Sequence, residues 1–168
     1  MLTEDNLKYL QTISDTELAH IVAFDPVAQA TAQKIKAELH EALPDARVIY
    51  FGSSALGIAG ENDIDLGVID ASEHGSNGKV LRGLYGEPIK IDEKSHKLRW
   101  EFRRGGFVVE MFLTNVLVGK SLQHIKNHER LIEDKNLQKA YEELKLSCLG
   151  LSRREYMKKK LEFFSELE

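Results

Sequence analysis

From Lys97 to Arg103 the chain alternates polar and apolar residues ahead of Gly105-Gly106. Lys97-Leu98-Arg99-Trp100-Glu101-Phe102-Arg103 leads in, and Phe107-Val108-Val109-Glu110-Met111-Phe112-Leu113 returns. Alternate residues of a strand face opposite ways, and a two-residue glycine turn suits a tight hairpin. The register follows: Arg104 opposite Phe107, Phe102 opposite Val109, Trp100 opposite Met111, and Glu101 opposite Glu110. The apolar pairs share one side, and Arg99, Glu101, Arg103 and Glu110 share the other. A lone hairpin is marginal in water, so the elements around it must complete a sheet and cover it.

Helical signals stand on both sides of this region. Ser14-Asp15-Thr16-Glu17 reads as a capping box followed by Leu18, Ile21 and Val22 at helical spacing. Asp25-Pro26 reads as the start of a second helix with Ala28, Ala32, Ile35, Leu39 and Ala42 on one face, ended by Pro44-Asp45. Val48 to Phe51 is a short β-type run, Ser53 to Ile58 gives one or two helical turns, and Asp63 to Ile69 is a second strand with Ile64, Leu66 and Val68 on one face. The stretch from His74 to Gly78 reads as a loop, Lys79 to Tyr85 as a short helix and Ile89 to Asp92 as a third strand. Helices return over Ser121–Ile132, Leu137–Cys148 and Glu155–Leu167, the last behind a capping box at Ser152-Arg153-Arg154-Glu155.

The order predicts one domain over the 168 residues: N-terminal helices over 1–45, an α/β core over 46–115 and C-terminal helices over 116–168. The fold class is α/β (α+β), a small twisted mixed sheet of about four or five strands with helices on one face and a C-terminal helical segment. The hydrophobic share of 42% and charged share of 30% are those of a soluble globular chain. A net charge of −4 does not mark a nucleic-acid binder. The single Cys148 fits a reducing cytoplasm, and no apolar run is long enough for a membrane span, so a cytoplasmic location is expected.

The chemistry is read from Tyr50-Phe51-Gly52-Ser53-Ser54 and Asn62-Asp63-Ile64-Asp65. Asp63 and Asp65 lie two apart in a strand and therefore face one way. Paired carboxylates suit Mg²⁺ or Mn²⁺, and a Gly-Ser turn opening a helix suits a phosphate. Two like charges on one face repel, so one of the pair is expected to have a raised pKa. Two metal ions need a third carboxylate on an adjacent strand. Glu110, a charge in an otherwise apolar strand, is the candidate, and an ion pair to Arg99 or Arg103 is its competing explanation. Arg99 and Arg103 are also candidates for triphosphate or substrate contact. His124 and His128 have a zinc-like spacing, but no third ligand is evident and a solvated helix face is favoured. The basic run Arg153, Arg154, Lys158, Lys159 and Lys160 reads chiefly as a solvated face, and Tyr141 and Tyr156 as packing residues.

The set Gly52-Ser53, Asp63-Ile64-Asp65 and Glu110 resembles the polymerase-β-like nucleotidyltransferase superfamily over roughly Ala46 to Leu113. The resemblance implies that Gly52, Ser53 and Ser54 hold the triphosphate, and that Asp63, Asp65 and Glu110 bind two Mg²⁺ or Mn²⁺ ions. It also implies that Glu110 favours deprotonation of an acceptor hydroxyl. The implied reaction moves a nucleoside monophosphate from an NTP to an unidentified hydroxyl or phosphate acceptor, whether small molecule, RNA or protein, and releases pyrophosphate. A looser similarity links Tyr141 to Lys145, Arg154 to Lys160 and Phe163-Phe164 with the C-terminal helices of the GrpB-like group. The chain lacks that group's usual Val-Pro-Gly and Lys-Pro pairs after the Gly-Ser turn. The alternatives are a nucleotide- and metal-binding protein without turnover, and a metal-dependent glycosyltransferase, which would leave the Gly-Ser turn unexplained.

Overall fold

The computed structural model describes residues 1–71, 75–93 and 97–167. Helix α1 (Glu4–Gln11) is capped by the Thr3 hydroxyl, which accepts from the Asn6 amide. The helix expected after Ser14 does not form. The Ser14 hydroxyl does accept from the amides of Thr16 and Glu17, as a capping residue should. The backbone that would continue the helix is spent elsewhere: Arg153 donates to Glu17, Arg154 to Ser14, and the Ala19 amide to Leu151. Leu18 and Val22 form β-bridges with Ser152 and Gly60. A carbonyl or amide paired with a distant segment is not available to a helical turn.

Helix α2 (Pro26–Ala42) begins as expected, with the Asp25 carboxylate accepting from the Val27 amide at 2.9 Å. Its apolar face is closed: Ala28, Ala32, Ile35 and Leu39 are fully buried. Strand β1 (Arg47–Phe51) leads into the single turn and a half of α3 (Gly52–Leu56), and β2 (Ile64–Ile69) follows. Helix α4 (Gly75–Tyr85) starts earlier than the loop reading allowed; His74 lies outside the described residues. Packing outweighs the low helix propensity of Gly75 and Gly78, because α4 buries Leu81 completely against the sheet. Strands β3 (Lys90–Asp92), β4 (Lys97–Arg104) and β5 (Phe107–Thr114) come next, then α5 (Gly119–Glu133), α6 (Lys135–Ser147) and α7 (Arg153–Ser165).

The five strands lie in the order β1-β2-β5-β4-β3. Only β2 and β5 run parallel; the other pairs are antiparallel. The hairpin register is the expected one in every pair, from Arg104 opposite Phe107 to Trp100 opposite Met111. Gly105 and Gly106 have φ of +60° and +88°, as a hairpin turn with two left-handed central residues requires. One face of the sheet packs Ile64, Leu66, Val68, Trp100, Val109, Met111 and Leu113 against α2 and α4. Removing one such fully buried aliphatic side chain down to Ala costs about 2–5 kcal/mol. The Trp100 indole, nearly fully buried, donates to the Gly86 carbonyl at 2.8 Å and so keeps its polar atom satisfied.

The other face carries the polar residues of the hairpin. Helix α5 starts beside β4, where the Lys97 ammonium donates to the Ser121 hydroxyl at 2.7 Å. It runs back to α3, where Leu131 packs with Ile58 and Tyr141. Helices α6 and α7 close that end. The capping box at Ser152 is formed in full, with Glu155 accepting from the Ser152 amide. Among the described residues no helix is long and apolar enough to cross a membrane.

Candidate active site

Four short segments meet at one end of the sheet. Strand β1 ends at Phe51, the register partner of Asp65, and Asp65 is in turn the register partner of Glu110. Parallel register partners emerge on the same face with their backbones roughly 5 Å apart, so the Asp65 and Glu110 carboxylates are neighbours. Asp63 precedes β2. The residue before it, Asn62, has φ +62°, a left-handed conformation that Asn tolerates better than most residues.

Gly52 makes the Gly-Ser turn fit against this acidic strand. Its φ is +85°, and a Cβ there would lie 2.3 Å from a carboxylate oxygen of Asp65. The Asp65 side chain therefore fills the space that any other residue at position 52 would occupy. Ser53 faces the helices: its hydroxyl accepts from the Lys145 ammonium, which also donates to the Ala59 carbonyl at 3.2 Å. Ser54 is buried, and its hydroxyl donates to the Asp63 carbonyl at 2.5 Å. It braces the acidic segment.

Charge is unevenly compensated here. Burial lifts the Asp65 carboxyl well above the usual carboxylate range; the charges of Asp63 and Glu110 add to this and Lys160 opposes it. The rise expected for one of the two aspartates thus falls on Asp65. Glu110 is also raised, first by burial, with Arg99 opposing and Asp63 adding. The Tyr50 phenol on β1 is raised by burial, and Asp65 and Asp63 contribute.

Two lysines complete the site, and neither stands out in the sequence. Lys145 of α6 is fully buried, lies 4.4 Å from the centre of the Tyr141 ring, and is pushed down to about 7 by burial and by the Lys160 charge. Lys160 of α7 is held well above its ordinary value by Tyr141 first, then by Tyr156, Glu61 and Asp65, against its own burial. The signal that would have found them is a cation within an apolar helical stripe: Tyr141, Lys145 and Cys148 on α6, and Tyr156, Lys160 and Phe163 on α7. Three others of the basic run pair elsewhere, Arg153 with Glu17 at 3.6 Å, Arg154 with Asp15 at 2.9 Å and Lys158 with Glu162 at 3.8 Å. Tyr141 and Tyr156 are both buried, Tyr141 against Phe163 and Phe164.

Arg99 meets Glu110 at 2.8 Å, the ion pair weighed as a competing explanation for that glutamate. Arg103 is exposed near the hairpin turn and donates to the Gly106 carbonyl at 3.4 Å. With Glu110 turned to Arg99, no group of three or more His, Cys, Asp or Glu side chains among the described residues is set to hold a metal ion. The donor chemistry still fits Mg²⁺ or Mn²⁺. Asp63, Asp65 and Glu110 are hard oxygen donors, and a cation would oppose the burial and the like charges that raise Asp65. Of the two histidines, His128 is buried within α5 rather than solvated, because α5 also buries Ser121, Ile125 and Leu131. His124 is solvent-accessible yet hemmed in by protein, and is pushed down to about 4 by burial and by Lys160, Lys97 and Lys120.

The mixed five-stranded sheet, with a Gly-Ser turn against an acidic strand and C-terminal helices behind it, is a GrpB-like fold. Superposition with solved structures gives the particular likeness: the conserved protein GrpB from Enterococcus faecalis aligns over 88% of this chain and 98% of its own, at 17% identity and a TM-score of 0.62. The Cid1 poly(U) polymerase in its MgGTP-bound form aligns over 80% of this chain and 43% of its own, at 17% identity and a TM-score of 0.44, a likeness too slight to bear on the site. No protein-family model and no curated protein matches the chain.

Proposed function

We propose that the protein is a metal-dependent nucleotidyltransferase. The observation that carries this reading is the placement of Asp65 beside Glu110 on parallel strands, with Gly52 pressed against the Asp65 carboxylate and Lys145 held on Ser53. Ser53, Lys145 and Lys160 would bind the β- and γ-phosphates of an NTP. Asp63, Asp65 and Glu110 would hold Mg²⁺ or Mn²⁺, which supplies charge neutralisation at the transferring phosphate. The acceptor hydroxyl oxygen attacks the α-phosphorus, the bond to the bridging oxygen of the β-phosphate breaks, and pyrophosphate leaves. Glu110 receives the hydroxyl proton, a role that suits a carboxyl raised by burial.

The Arg99–Glu110 ion pair favours a second reading, a nucleotide- and metal-binding protein of this fold without turnover. A screen with α-labelled NTPs and Mg²⁺ or Mn²⁺, over RNA, protein and small-molecule acceptors, separates the two. Transfer by the wild type and none by an Asp63→Ala, Asp65→Ala double variant is the expected result. Equal transfer by both proteins would refute the role of the aspartates. Tight nucleotide binding with no transfer to any acceptor would favour the second reading.

A further inference from the structure

Strands β3 and β4 carry a group of cations that the triphosphate end of the site does not use. Lys90 is the register partner of Arg99, and Lys97 lies two residues along from Arg99 on the same face. Neighbouring strands are about 4.8 Å apart and residues two apart on a strand about 7 Å, so three positive side chains leave the sheet within a small area, beside Asp92, the register partner of Lys97. They share the face of Glu110, because Arg99 and Lys97 pair across the hairpin with Phe112 and Thr114. The Lys97 ammonium donates to the Ser121 hydroxyl at 2.7 Å and sits 4.8 Å above the Phe112 ring. Burial and the charges of Arg99 and Lys90 push it down, and Asp92 draws it back only in part. Among the described residues Arg99 pairs with Glu110, and its five-donor guanidinium can meet a second acceptor group.

We propose that Lys90, Lys97 and Arg99 form a subsite for a phosphate group on a small-molecule acceptor, with Arg99 passing from Glu110 to that phosphate as the acceptor binds. The planar fork of an arginine takes two phosphate oxygens at once, and lysines add point charges around it. Because Arg99 already reaches Glu110, a phosphate on this subsite is one side chain away from the carboxylates of the site. Its binding frees Glu110 to join Asp63 and Asp65. The clustering favours a single phosphate group over a polyanion, which needs a track of cations along its backbone, and a net charge of −4 agrees. Giving the phosphate to the acceptor rests on the nucleotidyltransferase reading; the subsite itself does not.

The test is an NMR titration of the full chain with inorganic phosphate, following the Arg99 side-chain N–H and the amides of β3 and β4. The expected result is saturable shifts at Lys90, Lys97 and Arg99 that weaken about tenfold in Lys97→Gln and in Arg99→Gln, and persist unchanged in Lys145→Met. The spectra themselves report whether each variant is folded. Shifts confined to Ser53, Lys145 and Lys160 would overturn the subsite and leave the transfer reading standing. Shifts at β3 and β4 in a protein that transfers no nucleotide would keep the subsite and remove the transfer reading. Equal or stronger response to a phosphodiester oligonucleotide lacking terminal phosphates would overturn the assignment to a small phosphorylated acceptor.

Discussion

Asp65→Asn should make this protein more stable while removing its proposed activity. Asn keeps the shape of the side chain beside Gly52 and deletes the charge. The carboxylates of Asp65 and Glu110 leave adjacent strands, and two unit charges about 5 Å apart at an effective dielectric of about 20 repel by roughly 3 kcal/mol. That figure must be discounted, because the Glu110 side chain is 38% exposed and already meets Arg99. Solvent screening and the arginine leave about 1 kcal/mol, and relief of the Asp65 burial brings the expected gain to roughly 1–2 kcal/mol at about pH 8.

The pH dependence gives the reasoning its sign. The folded-state pKa of Asp65 is raised above its unfolded value. The folded protein therefore keeps a proton that the unfolded chain gives up. The stability Asp65 contributes is fully present below the unfolded carboxylate value of about 3.9 and is lost as pH rises through the raised folded value. Wild type and Asp65→Asn should converge in acid and separate as pH rises. Urea unfolding at several pH values measures this as a rise in midpoint at constant slope, and thermal unfolding as about 2–6 °C. A variant less stable than wild type at about pH 8, or a gain that does not change with pH, would refute the claim that Asp65 is an uncompensated charge.

Gly52→Ala should cost about 2–4 kcal/mol, since a left-handed Ala is strained and its Cβ would displace the Asp65 carboxylate. In an Asp65→Asn background the cost should change, a coupling that a double-variant unfolding cycle detects and that independent sites would not show. Binding of a nucleoside triphosphate at about pH 8 should draw in close to one proton, because Lys145, pushed down to about 7, is restored to its charged form by the phosphates. Calorimetry in buffers of different ionisation enthalpy reads that uptake directly, and Lys145→Met should abolish it.

The sheet was legible because its signals are local. Strict alternation and Gly105-Gly106 dictate the β4–β5 pairing, and the apolar set Ile64, Leu66 and Val68 dictates which face of β2 is buried. From those two facts Asp65 and Glu110 had to share the other face, whichever way β2 and β5 ran. The turn at Ser14 failed for the opposite reason. Its capping signal is real and its hydrogen bonds form, but the partners that divert the chain are Leu151 to Arg154, well over a hundred residues away. Glu110 was legible as a charge needing a cation and ambiguous as to which one, because an arginine and a metal ion make the same demand on a carboxylate. Lys145 and Lys160 were hidden by averaging, since a lysine in a charged helix reads as surface unless the apolar stripe around it is traced residue by residue.

The two lysines also separate a stability device from a binding device. In a structural ion pair the acid is pulled below its ordinary pKa and the base is pushed above it, because each satisfies the other. Lys160 behaves in that way as a base, raised by its surroundings. Asp65 and Lys145 do the reverse: the acid is raised, the base is lowered to about 7, and the lysine spends its hydrogen bonds on the Ser53 hydroxyl and the Ala59 carbonyl. A carboxyl raised despite the nearby Lys160 charge and a buried lysine pushed down to about 7 both cost the free protein stability in their charged forms. A ligand that brought a cation to Asp65 and an anion to Lys145 would remove both costs together. A metal–triphosphate complex would carry both charges on one molecule, which agrees with the nucleotidyltransferase proposed above.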